Sequence, residues 1–175
     1  RHKRLAIELG FSAMDVPKSR GGREARIVDQ VAVWEQLGRV TNALCWCFSE
    51  AQSWMFEACT EDQIQRFILP LVSGARKKCY AITESGSGSD VSIETTARQA
   101  SGGYTINGEK WYVTSANHAD YFILQARLAD GPHVGSDSLF FVDKETPGVE
   151  VLRTPLFSHT FSAHHPTYRF KDVFV

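Results

Sequence analysis

The 175 residues are 43% hydrophobic and carry 19 Lys and Arg against 20 Asp and Glu, for a formal net charge of -1 at pH 7. That length supplies one or at most two domains with a real core, and the near-zero charge removes the counterion-release term that drives nucleic-acid binding. The longest apolar run, Ala43 to Phe48, falls far short of the roughly 20 residues that a membrane-spanning helix needs, so a soluble protein with no membrane span and no nucleic-acid partner is expected. No signal or transit segment is visible behind Arg1, and Tyr168 to Val175 alternates like a strand with no turn residue after it. Both ends therefore read as cut from a longer protein.

In chain order, Phe11 to Gly22 carries Pro17, Gly21 and Gly22 and reads as a loop. From Arg26 to about Glu57, Ile27, Val31, Trp34, Leu37, Val40 and Leu44 recur at steps of three and four, which predicts one helical face about five turns long. A second helix opens at Thr60, where Thr60 and Gln63 form a capping box. Ile64, Phe67, Ile68 and Leu71 give it one apolar stripe, and Pro70 is expected to end or kink it. Arg76, Lys77 and Lys78 form a basic triplet, read as a solvated connector. From Lys78 the period changes to two, with strands over Lys78 to Glu84, Val91 to Arg98 and Tyr104 to Ile106. The Ser101-Gly102-Gly103 turn separates the second from the third. Asn107-Gly108 is the strongest short-range hairpin signal and leads into a Trp111 to Thr114 strand. Further strands are expected at Tyr121 to Arg127, Ser138 to Asp143, Val149 to Arg153 and Tyr168 to Val175. Helices followed by strands without alternation imply an α+β fold: a helical domain over 1–77 and an antiparallel, β-barrel-like domain over 78–175.

Cys45, Cys47, Cys59 and Cys79 contain no C-x-x-C pair and read as buried thiols. His159, His164 and His165 cluster near Thr160 and Tyr168, but the carboxylates or thiolates that would complete a metal site are missing nearby, so no metal is expected. The segment richest in chemistry is Thr83-Glu84-Ser85-Gly86-Ser87-Gly88-Ser89-Asp90. Its glycines let successive backbone N–H groups converge on an anion, against the alternative of a plain flexible turn. It lacks the Gly-Lys-Ser/Thr ending of a Walker loop, the third glycine of a dinucleotide fingerprint and the Gly-x-Ser-x-Gly of a nucleophile elbow. Trp111 to Asn117 places paired aromatics beside the Thr114 hydroxyl, which suits either a planar cofactor or ordinary hairpin packing.

Together these two segments resemble the acyl-CoA dehydrogenase family of flavoproteins. The family's aromatic-x-x-Thr-Glu-Pro-Gly-x-Gly-Ser-Asp is matched by Tyr80 to Asp90, and its Asn-Gly-x-Lys-x-Trp-Ile-Thr-Asn by Asn107 to Ser115. The Pro17…Gly21-Gly22 loop, the Thr60 to Gly74 stretch and the closing Tyr168 to Val175 strand also match. Ser85 stands in place of the usual proline, Tyr112 in place of a tryptophan, and Phe157 to His165 fits the family poorly.

The resemblance implies FAD as cofactor and oxidation of an acyl-CoA to its 2,3-enoyl form, as in fatty acid metabolism. Tyr80, Ile82, Thr83, Gly88, Ser89, Tyr112, Val113 and Thr114 are implied as cofactor-binding residues, with Ser89 also near the thioester substrate and Glu84 structural. No catalytic residue is assigned, because the family's proton-abstracting glutamate lies in a C-terminal helical domain expected beyond Val175. The family further implies an electron-transfer flavoprotein or oxygen as acceptor, a homo-oligomer (dimer or tetramer), and an intracellular, cytoplasmic location, or the mitochondrial matrix in a eukaryote. Flavin monooxygenases and oxidases share these motifs, and a non-catalytic scaffold of the same fold is the remaining alternative.

Overall fold

In the computed structural model, residues 2–39, 51–89, 92–156, 158 and 164–175 are described. The chain divides into two compact units, Arg1–Lys77 and Lys78–Val175.

The first unit is helical. It begins with α1 (His2–Glu8), which the sequence reading did not identify, and continues through single 3-10 turns at Phe11–Ala13 and Lys18–Arg20. The Pro17 carbonyl accepts from Arg20 and Gly22 N–H. Gly22 lies so close to the Val16 backbone that a Cβ there would sit 2.0 Å from the Val16 oxygen, which explains a glycine at that position. The helical span expected from Arg26 to Glu57 is not continuous. Helix α2 covers Ile27–Leu37, residues 40–50 lie outside the described set, and Gln52 is extended before α3 (Ser53–Ala58). Asp15 caps α3 from a distance, accepting from Ser53 N–H at 2.8 Å, and also meets Gln30 of α2.

That contact helps fix which side of α2 turns inward. Of the expected stripe, Ile27, Val31 and Trp34 are exposed, Ile27 at 79% and Val31 at 59%, whereas Leu37 is half-buried together with Gln30 and Val33, and Val40 and Leu44 lie outside the described residues. The Thr60 capping box forms as expected, with Gln63 N–H donating to Thr60 Oγ1 at 3.3 Å and Thr60 N–H to Gln63 Oε1 at 2.9 Å. Ile64, Phe67, Ile68 and Leu71 are buried.

Pro70 does not end the helix. Short α4 (Glu61–Gln63) passes through a π turn at Ile64–Ile68 into α5 (Leu69–Val72). Widening the turn makes room for a ring that would otherwise clash with the carbonyl one turn back, and that carbonyl, Arg66 O, accepts instead from Arg76 Nη1 at 3.2 Å. Arg76 is thus an anchoring residue rather than part of a solvated connector.

The second unit is a curled sheet of seven strands: β1 (Lys78–Ala81), β2 (Thr96–Ala100), β3 (Gly103–Lys110), β4 (Tyr121–Leu128), β5 (Asp137–Asp143), β6 (Val149–Arg153) and β7 (Thr167–Phe174). The α+β arrangement stands, and the sheet is mixed: β1 and β2 run parallel to β4, and the other pairings are antiparallel. Because β5 occupies one edge of β4 along its length, β1 and β2 share the other edge. They pair end to end with Tyr121 to Leu124 and with Arg127 and Leu128. They form one line of pairing, interrupted by the excursion of residues 82–95.

Cys79, Ala81, Ala97, Ile106, Phe122, Leu124, Val142, Tyr168, Phe170 and Val173 fill the core, and Phe122 meets Tyr168 and Phe170 edge-on at 4.9 and 5.4 Å. Burial pushes the Cys79 thiol up to about 12. Cys59 is only half-buried, and Cys45 and Cys47 lie outside the described residues.

Asn107-Gly108 is not a hairpin turn, since β3 runs straight through it. The register against β7 steps from Ile106↔Val173 to Gly108↔Phe170, which leaves an extra residue on β7. Asn107 serves that bulge by accepting from Asp172 N–H at 2.9 Å and donating to the Asp172 carboxylate at 3.1 Å. A turn signal cannot compete here with a long partner strand that pairs on both sides of it. The Trp111 to Thr114 run is irregular rather than a strand, with Tyr112 at φ 50° and Ser115 at φ 66°.

Candidate functional site

The glycine-rich excursion leaves the sheet after Ala81 and returns at Thr96, and a single carboxylate closes its base. Glu84 accepts from Glu94 N–H at 2.7 Å, Thr95 N–H at 3.0 Å and the Thr95 hydroxyl at 2.6 Å. Lys110 Nζ adds an ion pair at 2.6 Å, with Glu84 and Lys110 side chains 5% and 0% exposed. Burial opposes the ionised form of Glu84, but the hydrogen bonds from Lys110, Thr95 and Glu94 outweigh it and hold the carboxyl below its ordinary pKa. For Lys110, burial lowers the ammonium pKa and the Glu84 carboxylate only partly restores it. With its oxygens engaged by Lys110, Thr95 and Glu94, Glu84 is structural, as its place in the motif implied.

The same lysine ties the excursion to the end of β3. Lys110 Nζ also donates to Ile82 O at 3.0 Å, and Trp111 N–H donates to Thr83 O at 2.7 Å. Gly108 permits this approach, because a Cβ there would lie 2.4 Å from Thr95 Oγ1 and 2.7 Å from Thr95 Cα. With both carbonyls engaged, Ile82 and Thr83 have amide N–H groups and the Thr83 hydroxyl to offer a ligand. Beyond Glu84 the excursion is open. Ser85, Gly86, Gly88 and Ser89 are exposed, while Ser87 turns back to donate to Ser92 O at 2.8 Å.

Next to it stands the turn that follows β3. Tyr112 is 47% exposed and Thr114 is exposed, whereas the Val113 side chain is buried in the core and its N–H donates to Pro166 O at 3.0 Å. The Tyr112 ring meets Trp111 edge-on at 6.0 Å. Tyr80, 48% exposed on β1, donates to Gln125 Oε1 at 2.7 Å. The structure thus links the Ile82–Thr83 and Trp111–Thr114 segments directly through Lys110 and Trp111.

Sequence reasoning missed three supports of this site. Lys110 carried a signal only as the lysine of the Asn107 to Ser115 motif. Thr95 carried none. The segment His164–Pro166, considered only as a metal cluster, braces the turn. Among the described residues no group of three His, Cys, Asp or Glu could hold a metal ion, and no helix is long and apolar enough to cross a membrane.

An exposed glycine–serine loop locked at its base to an aromatic-hydroxyl turn, on a curled mixed sheet with a separate helical unit, defines an α+β protein. Comparison with known proteins places it more closely. The family profile "Acyl-CoA dehydrogenase, middle domain" matches residues 79–173, and "Acyl-CoA dehydrogenase, N-terminal domain" matches residues 2–75. The chain therefore belongs to the acyl-CoA dehydrogenase family.

A curated relative, the benzylmalonyl-CoA dehydrogenase of Aromatoleum aromaticum, is 34% identical over 156 residues, 86% of this chain and 40% of the relative. The crystal structure of a probable acyl-CoA dehydrogenase from Mycobacterium abscessus superposes with a TM-score of 0.83 at 28% identity, covering 99% of this chain and 47% of that one. An acyl-CoA dehydrogenase from Bacillus anthracis, solved in complex with FAD, superposes at 0.78 with 30% identity, over 99% of this chain and 31% of that one. The chain thus spans less than half the length of these relatives.

Proposed function

We propose that this chain is the flavin- and substrate-binding portion of an FAD-dependent acyl-CoA dehydrogenase, which oxidises an acyl-CoA thioester to its 2,3-enoyl form. Residues 1–77 are taken as part of the N-terminal helical domain and 78–175 as the middle β-domain. The observation that carries the proposal is the lock itself. One buried ion pair fixes the glycine–serine loop against the Tyr112 to Thr114 turn, so that donors from two distant stretches of sequence face the same ligand.

The residues suit FAD by the chemistry of their donors. Gly88 and Ser89 present an exposed backbone and a hydroxyl suited to a pyrophosphate or to the thioester ligand. Thr83 and Thr114 supply hydroxyls suited to the polar edge of a flavin, and Tyr80 and Tyr112 supply exposed aromatic faces. Ile82 and Val113 contribute through the backbone they fix. Bound FAD would supply the hydride acceptor. The chain's own part is to orient the ring, to place hydrogen-bond donors where charge develops and to exclude water from one side. Glu84 is not the proton-abstracting base, since its oxygens are already committed to Lys110, Thr95 and Glu94.

An intracellular location, oligomerisation and an electron-transfer flavoprotein as acceptor belong to the same proposal. Its test uses the full-length protein. Purification with bound or reconstitutable FAD, followed by anaerobic bleaching of the flavin by a panel of acyl-CoAs, is expected. A protein that takes up no FAD, or a flavin that no acyl-CoA reduces while oxygen turns over with another reductant, overturns it.

A further inference from the structure

The segment just before β7 braces the turn that presents Thr114. Pro166 O accepts from Val113 N–H at 3.0 Å and His164 O from Ser115 N–H at 2.8 Å. Between these two backbone bonds the intervening side chains meet, with His165 Nδ1 3.0 Å from Thr114 Oγ1. The same hydroxyl donates to Tyr112 O over a longer 3.3 Å. The buried His164 ring packs edge-on against His165, with centroids 4.5 Å apart, which restricts the His165 ring. The turn needs such bracing. Tyr112 and Ser115 are both left-handed without being glycine, and conformations of that kind persist where the surroundings over-determine them.

We propose that His165 is a positioning residue for Thr114, fixing the direction in which its hydroxyl faces a ligand lying over Tyr112 and Thr114. A threonine hydroxyl has one proton and two lone pairs, and a neutral imidazole nitrogen either donates or accepts. With Nδ1 donating, the hydroxyl proton is directed either to Tyr112 O or to an acceptor on the ligand. With Nδ1 accepting, the oxygen offers the ligand only lone pairs. Residue 165 therefore sets the polarity that Thr114 presents. The ligand's identity rests on the flavin reading above; the His165–Thr114 bond does not.

The test uses full-length protein carrying His165→Ala, His165→Asn, Thr114→Val, or His165→Ala with Thr114→Val. FAD affinity is read by fluorescence titration, and the midpoint potential of the bound flavin by dye equilibration. His165→Ala and Thr114→Val are each expected to weaken FAD binding about fivefold and to displace the potential in parallel. The double variant is expected to be no worse than either single one. Asparagine, whose amide reaches the place of Nδ1, is expected to keep near wild-type values. Losses that multiply in the double variant, or an unchanged affinity and potential in His165→Ala or Thr114→Val, overturn the proposal. If the wild type takes up no FAD, the flavin reading fails by itself, and the positioning is read from the 15N resonances of the His165 imidazole in the unloaded protein. Resonances that move on Thr114→Val support it, and resonances that do not move overturn it.

Discussion

The two segments of the candidate site are held by opposite means. The excursion of residues 82–95 is closed by charge: one buried carboxylate gathers an ammonium, a hydroxyl and two backbone N–H groups. The turn at Tyr112 to Ser115 is held by backbone bonds to His164 and Pro166 against two left-handed residues. The glycine–serine loop thereby gets a fixed base, while a turn without glycine keeps a strained shape. The first arrangement tolerates side-chain change poorly at one point. The second is most sensitive to what the backbone can adopt.

This contrast is broken most severely at Glu84. Glu84→Ala leaves the Lys110 ammonium buried without its carboxylate and is expected to destabilise the protein by about 3–5 kcal/mol, the range for breaking a buried pair. Replacing both partners by methionine is expected to cost less than Glu84→Ala alone, which chemical denaturation of the variants will check. A double variant at least as unstable as the single one contradicts the account. The pH dependence has a fixed sign. The folded-state pKa of Glu84 lies below its unfolded value, so its contribution is complete above the ordinary carboxylate range of about pH 4. It is lost as the pH falls through the depressed folded value, because the unfolded chain then binds the extra proton. The stability difference between wild type and the double methionine variant is therefore expected to shrink on acidification below about pH 4. A difference that grows on acidification refutes the assignment.

Gly108→Ala comes next. The added Cβ would meet Thr95, the partner of Glu84, closer than real contacts allow, and overpacking of this kind costs about 1–3 kcal/mol. A melting temperature equal to wild type contradicts the close approach. The smallest effect has the opposite sign. At Ser115, φ 66° favours glycine, so Ser115→Gly is expected to relieve strain and raise stability by up to about 1 kcal/mol. A clear loss of stability would show that the turn is not strained there.

These differences also mark what the chain disclosed before its structure was known. Strand β4 was legible because Tyr121 to Leu124 is a short apolar run of strand length, and such a run marks a strand buried on both faces whatever its partners. The Thr60 cap was legible because its chemistry is local to four residues. Pro70 misled because the penalty for proline assumes an α turn, and the π turn removes the clash. Asn107-Gly108 misled because β7 pairs on both sides of it. The α2 stripe held at Leu37 but not at Ile27, Val31 and Trp34, because periodicity marks an apolar face without saying what covers it, and Gln30 with its bond to Asp15 turns another side inward. At the candidate site the two motifs were visible, but what joins them was not. Lys110 reaches Glu84 across 26 positions and His165 reaches Thr114 across 51, and no local pattern records contacts at that range.

The central claim is that the Gly88–Ser89 loop and the Tyr112 to Thr114 turn face one flavin. The most direct test is a crystal structure of the full-length protein grown with FAD. The account predicts the flavin ring against Tyr112, with a polar atom in hydrogen-bonding distance of the Thr114 hydroxyl and the pyrophosphate at Gly88 and Ser89. FAD bound away from both segments, or touching one while the other faces solvent, would contradict it.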